Sequence, residues 1–288
     1  GIKKISKKAI IDIGTNSTRL LIAEKDENGW RKVNAELNFT RIGENIGAEQ
    51  VIKQEALKRT AEGVREYVQK AREAGCEKII ITATSAVRDA KNREEVCAYI
   101  NEVCGEKIRV LKGEEEAYLS YRGAVGDNAE DTAVLDIGGG STELVCPSED
   151  ILQSRSVAVG AVRLKERPEL RERLDEILQG LLPEKNRKLK LLAVGGTATT
   201  LAALSLGMED YDSEKVCRYP LKISEIDAWL EKLRVMSVEE IKALPGMPAK
   251  RADVFVYGVA ILSRIMHLLR VDVVWAEDRD LMYALLEE

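Results

Sequence analysis

Histidine is almost absent from this chain, and its scarcity narrows the chemistry before any motif is considered. Only His267 occurs in 288 residues, so a histidine-rich metal cluster, phosphohistidine chemistry and a Ser-His-Asp triad with a spare partner all fall away. Whatever chemistry occurs must use carboxylates. His267 lies in the amphipathic run AILSRIMHLLR and reads as a partly buried helix residue. Useful cysteine arrangements are also lacking: Cys76, Cys97, Cys104, Cys146 and Cys217 are odd in number and form no CxxC pair. That disfavours a zinc site or a disulfide framework and suits reduced thiols in a cytosol.

Long apolar runs are few. The stretch LLAVGGTATTLAALSLGM, from Leu191 to Met208, approaches membrane-spanning length, but its paired glycines and Thr-rich middle read as strand, turn, helix. The basic start GIKKISKK leads into an apolar stretch that Asp12 interrupts too early for a signal peptide. These features point to a cytoplasmic protein with no membrane role. There is no surplus of positive charge either. A formal net charge of −5 argues against nucleic-acid binding, where a basic surface supplies most of the affinity. An anionic ligand must be held locally.

What the chain does contain is a repeated phrase. IIDIGTNST, carrying Asp12, returns as VLDIGGGST, carrying Asp136, 124 positions later. In each, an apolar strand delivers an aspartate to its end, and glycines allow positive φ and close approach of a ligand to the main chain. Successive amide groups in such turns form concave nests for anions. Thr15, Asn16 and Ser17 in one copy, and Ser141 and Thr142 in the other, add side-chain donors. The aspartates repel phosphate, so they make sense as ligands of a hard cation that bridges to it. A third glycine turn, AVGGTAT, places Gly195, Gly196 and Thr197 at a helix N-terminus, another natural anion site.

The organisation along the chain is α/β. Strands are expected near residues 8–14, 18–23 and 30–39 as an antiparallel opening set. A helix follows over Gln54–Ala74, where Leu57, Ala61, Val64, Val68 and Ala71 form one apolar stripe. Then come the strand KIIITA, a helix around Asn92–Val103, the strand IRVLK and a helix from about Gly113 to Ala124. The second half restarts with strand, glycine turn, strand, strand. It continues with helices near Glu169–Gln179 and from Thr197, the latter after the strand KLKLLAVGG. Later come a helix from Ile223 to Met236 with Ser224 as N-cap, and a capping box in SVEE at Ser237–Glu240. A helix over Ala252–Leu269, the strand VDVVWA and a helix over Asp278–Leu286 finish the chain. The duplication predicts two lobes, 1–123 and 124–288, with room for the C-terminal helix 278–288 to pack back on the first, and glycine turns facing each other across an interlobe cleft.

The segments AIIDIGTNSTRLLIA, RIGENI, TSAVRDAKN, LKGEEEAYLSY, VLDIGGGSTELV, VAVGAVRL, AVGGTAT and LPGMPAKRADV occur in that order. Together they resemble the exopolyphosphatase / guanosine pentaphosphate phosphatase family, in the actin-like, sugar-kinase and chaperone-ATPase fold group. The resemblance covers nearly the whole chain. It implies two actin-like (ribonuclease H-like) lobes, each a mixed five-stranded-type sheet flanked by helices. By the same resemblance Glu116 in GEEEAYL is the base that activates water, and Asp136 and Glu143 help hold Mg²⁺ and a bridging water. Arg88 in SAVRDA binds phosphate, and Asn16, Gly138, Gly139 and Ser141 match the phosphate cradle. Gly14 and Gly140 complete the two turns. Glu114 and Glu115 are expected to be solvated, with Glu116 turned inward.

The implied reaction is metal-assisted hydrolysis of a terminal phosphoryl group by direct attack of water, in which positioning and charge neutralisation dominate. Inorganic polyphosphate and guanosine pentaphosphate are the substrates in view. A sensor that binds polyphosphate or nucleotide without turnover is an alternative of another class, and a kinase of the same fold group is disfavoured by the EEEA helix. The ending departs from the family pattern Ser-Asp-x-Gly-Leu-Arg-x-Gly: EDRDLMYALL puts Glu277 for the serine, Asp280 for a glycine, Met282 for the arginine and Ala284 for the second glycine. This resembles the short, two-lobed form of the family, so a groove for a polymer must come from the lobes or from a second subunit in a homodimer.

Overall fold

The computed structural model describes residues 5–127, 131–149, 151–184 and 188–288; the first half of the basic start GIKKISKK lies outside them. The chain divides into two units, one running to Lys112 and taking in Met282–Glu288, the other Gly113–Leu281. The boundary drawn from sequence at 123/124 falls inside the helix Gly113–Val125, and the division here falls at the start of that helix.

In the first unit, β1 (Ser6–Ile13), β2 (Thr18–Asp26) and β3 (Gly29–Asn38) are followed by α1 (Gln54–Glu73), β4 (Lys78–Ala83), α2 (Ser85–Arg88), α3 (Arg93–Cys104) and β5 (Arg109–Val110). The sheet order is β3-β2-β1-β4-β5. β1 pairs antiparallel with β2 and parallel with β4. As the central strand it is covered on both faces from Ala9 onward, which explains a nearly continuous apolar run rather than an alternation. The stripe on α1 is buried at all five positions named from sequence. Full burial of a Leu or Val there is worth about 1.5–3 kcal/mol.

The second unit opens with α4 (Gly113–Val125), then β6 (Thr132–Ile137), β7 (Thr142–Ser148), β8 (Ile151–Val157), α5 (Ala161–Glu166), α6 (Glu169–Glu172) and α7 (Leu174–Leu178). It continues through β9 (Lys190–Val194), α8 (Gly196–Ser205), α9 (Ser213–Val216), β10 (Tyr219–Lys222), α10 (Ile223–Arg234), α11 (Val238–Lys242), α12 (Phe255–Leu269) and β11 (Val273–Ala276). The last helix, α13 (Leu281–Leu285), belongs from Met282 onward to the first unit. The second sheet has the order β10-β11-β9-β6-β7-β8. β6 is antiparallel to β7 and parallel to β9, so β6 repeats the place of β1, and β8-β7-β6-β9-β11 repeats the order and strand directions of the first sheet.

Four details differ from the sequence reading. A sixth strand, β10, pairs antiparallel on the edge of β11; Pro220 masks its strand signal, and an edge is where a sheet tolerates proline. The helix expected over Glu169–Gln179 is broken at Arg173 into α6 and α7. Lys222, not Ser224, is the N-cap of α10, whereas the Ser237/Glu240 capping box is present as expected. His267 is exposed rather than partly buried, with Nε2 2.8 Å from Asp227 Oδ2. Among the described residues, no helix is long and apolar enough to cross a membrane.

Candidate active site

Three carboxylates converge in the second unit. One oxygen each from Glu116, Asp136 and Glu143 lies within 4.8 Å of the others. Their convergence follows from the local fold. Asp136 ends β6 and stands opposite Glu143 on β7 in the antiparallel register, so the two side chains share one face of the sheet. Glu116 comes from the first turn of α4, which packs on β6, β7 and β8. Glu114 is exposed while Glu116 is buried. Carboxylates this close repel one another unless a cation or a shared proton offsets the charge, and three converging oxygen donors, two of them on buried residues, suit a hard divalent ion.

Two serines steady the group. Ser120 Oγ donates to Asp136 Oδ2 at 3.1 Å, and Ser156 Oγ donates to Glu143 Oε1 at 3.0 Å. The sequence reading missed both, although each had a signal. Ser120 lies four residues after Glu116, hence on the same helix face, and Ser156 faces Glu143 in the β7–β8 register. Ser154, two residues before Ser156 and on the same face of β8, donates to the Glu114 carbonyl at 3.1 Å and ties down the start of α4.

The repeated turns close in the same way. Gly14 N–H donates to Ser17 O, and Gly138 N–H donates to Ser141 O, each at 2.9 Å. Each turn is also backed by a later glycine. Gly43 N–H donates to Thr15 O at 3.0 Å, and a Cβ on Gly43 would lie 2.3 Å from Thr15 Cγ2. In the second copy the amides of Ala161 and Val162 donate to Gly138 O and Gly139 O at 2.9 and 2.8 Å. A Cβ on Gly160 would lie 2.5 Å from those turn atoms.

Asn16 Oδ1 is buried with no hydrogen-bond partner among the described residues. That oxygen is an acceptor, so it suits a cation or a donor rather than a phosphate oxygen; the amide's donor is Nδ2. Thr15 Oγ1 and Ser85 Oγ lie 3.1 Å apart.

The copies differ in charge. Asp12, in the first unit, accepts from Arg19 Nη2 at 3.1 Å and from Thr82 Oγ1 at 3.0 Å. Arg19 is its cross-strand partner, as Glu143 is that of Asp136. Asp12 therefore has a built-in cation beside it, and Asp136 has a second anion.

Arg88 ends α2, with Nη1 donating to Leu111 O at 3.0 Å and Nε 3.7 Å from Asp89. The third turn adjoins the acidic group: a Cβ on Gly195, whose φ is +96°, would lie 3.1 Å from Asp136 Oδ1. Thr199 Oγ1 donates to Gly195 O at 3.0 Å. Arg251 packs against Gly196 and donates to Thr200 Oγ1 at 2.8 Å, a neighbour that sequence spacing does not announce. Thr197 is buried under α12 beside Gly258.

Relatives match nearly the whole length of this chain. Exopolyphosphatase 2 of Mycobacterium tuberculosis is 33% identical, with 92% of each chain covered. A bifunctional 3-dehydroquinate synthase/phosphatase of Fusobacterium nucleatum is 31% identical over 97% of this chain; this chain spans only 46% of that longer protein. The solved structure of the Aquifex aeolicus Ppx/GppA family member superposes with a TM-score of 0.79, at 26% identity and over 98% of this chain and 97% of that one. The family model described as the Ppx/GppA phosphatase family matches residues 21–281, and this chain belongs to that family.

Proposed function

We propose that this chain is an exopolyphosphatase, cutting the terminal phosphoanhydride bond of inorganic polyphosphate by direct attack of water to leave orthophosphate and a chain one unit shorter. The observation that carries this reading is the group of buried Glu116, half-buried Asp136 and buried Glu143, with one oxygen of each within 4.8 Å of the others. In this assignment Asp136 and Glu143 hold a divalent cation, Mg²⁺ in the first instance, which when bound neutralises charge on the phosphate oxygens. Glu116 takes the proton of the attacking water. A bond forms from the water oxygen to the terminal phosphorus, the bridging P–O bond breaks, and its electron pair leaves with the shortened chain. A positioned general base contributes roughly 10²–10⁴-fold, and positioning and charge neutralisation supply the rest. No side-chain nucleophile takes part.

Phosphate oxygens are assigned to Gly139–Ser141 and Gly195–Thr197 in the second unit, and to Thr15–Ser17 and Arg88 in the first; the Gly14 and Gly138 amides already close their own turns. Backbone nests and a guanidinium fork both suit them. Asp12 leaves the ligand set that sequence suggested, because Arg19 already answers its charge. The Mycobacterium tuberculosis relative, matched over 92% of both chains, supports polyphosphate as the substrate to test first. The test is phosphate release from long-chain polyphosphate, guanosine pentaphosphate and ATP, each with and without Mg²⁺. Release from polyphosphate that requires Mg²⁺ is the expected result; release from none of the three overturns the reading.

A further inference from the structure

We propose that Glu277 and Arg218 are positioning residues that clamp the C-terminal end of α4 and so hold Glu116 in place for the reaction; this rests on the function proposed above. Glu277 follows β11, and its amide donates to Ala193 O at 2.9 Å. Its carboxylate is only 4% exposed and is met by three donors: Arg218 Nε at 2.9 Å on Oε1, and Cys217 Sγ at 3.0 Å and the Arg279 amide at 3.1 Å on Oε2. A buried carboxylate needs such partners.

Arg218 is itself over-determined. It holds a φ of +61°, uncommon for a residue with a side chain. Its amide donates to Ala276 O at 2.7 Å, and its Nη2 donates to Ala124 O at 3.1 Å. Ala124 lies in the last turn of α4, where carbonyls lack intrahelical donors and a cation is favoured by the helix dipole. One turn surface away, a Cβ on Gly123 would lie 1.7 Å from Asp280 O, so this turn rests directly on the backbone that follows Glu277.

α4 is therefore fixed at its start by Ser154 and at its end by Arg218. Between Ala124 and Glu116 lie about 12 Å of helix at 1.5 Å per residue, so a tilt at the far end displaces the carboxylate. Glu277 is also a point where the sequence departs from the family pattern of a serine.

The experiment compares wild type with Glu277→Gln, which keeps size and removes charge, and Arg218→Lys, which keeps charge and removes the fork. Hydrogen exchange follows the amides of Gly113–Val125. Iodoacetamide at pH 8 reports on Cys217, whose thiol is pushed up to about 11 by burial and by the hydrogen bond to Glu277. Turnover of polyphosphate is measured alongside. Both variants are expected to speed exchange in α4 and to lower kcat by about 10- to 100-fold with KM within about twofold, and Glu277→Gln also to speed alkylation of Cys217. Unchanged α4 protection, or unchanged kcat in a variant whose α4 exchanges faster, overturns the proposal. If wild type releases no phosphate, the proposed function fails and α4 exchange alone decides the clamp. If Glu277→Gln does not fold, Arg218→Lys decides it, since that side chain is 41% exposed.

Discussion

Arg19 and Glu143 occupy the same place in two copies of one hairpin. Each stands across the sheet from the aspartate that ends the preceding strand, Asp12 in the first copy and Asp136 in the second. A duplicated scaffold has thus been charged in opposite ways: one hairpin balances its aspartate internally, and the other concentrates negative charge where a cation fits.

The balanced copy should behave as a structural pair. Removing the guanidinium in Arg19→Ala leaves the buried Asp12 with a charge its surroundings no longer answer, and is expected to cost about 1–3 kcal/mol of stability. Asp12→Asn in the same chain should recover part of that loss, because the charge goes with it. Urea unfolding of the two single variants and the double variant gives the coupling directly.

The charged copy should behave as a catalytic one. Glu116→Gln keeps the shape of the side chain and removes its basicity. Turnover of polyphosphate should fall by roughly 10²–10⁴-fold while polyphosphate still binds with near-wild-type affinity. Steady-state kinetics and a direct binding titration separate the two quantities; turnover close to wild type would remove Glu116 from the mechanism.

Ser120 and Ser156 each donate a hydrogen bond to a carboxylate of the acidic group. Partners of this kind typically matter by about 10–100-fold in metal affinity or activity. Ser156→Ala should therefore raise the Mg²⁺ concentration needed for half-maximal activity, with little change in thermal stability. Ser120→Ala should act in the same direction through Asp136. A Mg²⁺ titration of activity reads both.

Gly160 is required by contact. Any Cβ there meets Gly138 O and the Gly139 carbonyl at 2.5 Å, and these are backbone atoms that cannot swing aside. Gly160→Ala should cost about 1–3 kcal/mol and should lower phosphate affinity by displacing the turn. Thermal unfolding and product inhibition by orthophosphate measure the two effects.

Much of this was legible in the sequence, and the exceptions have physical causes. The DIG phrases, the α1 stripe and the Ser237 capping box were readable because each is a local pattern with one structural solution. The inward turn of Glu116 near an exposed Glu114 is expected from the family resemblance, and helix geometry sends residues two apart to opposite faces. Strand register could not be read at all, and register is what sets Arg19 against Asp12 and Glu143 against Asp136. Without it, Asp12 and Asp136 are equivalent in sequence. Ser156 was missed for the same reason. β10 was hidden by Pro220, and the bond from Arg218 to Glu277, 59 residues apart, leaves no local trace.

Cation binding tests the central claim most directly. Mn²⁺ titrated into wild type, Asp136→Asn, Glu143→Gln and Asp12→Asn, followed by electron paramagnetic resonance, gives an affinity for each without reference to turnover. The account predicts at least about a tenfold loss in Asp136→Asn and Glu143→Gln and near-wild-type affinity in Asp12→Asn. Undiminished binding in the first two, or an equal loss in the third, would contradict it.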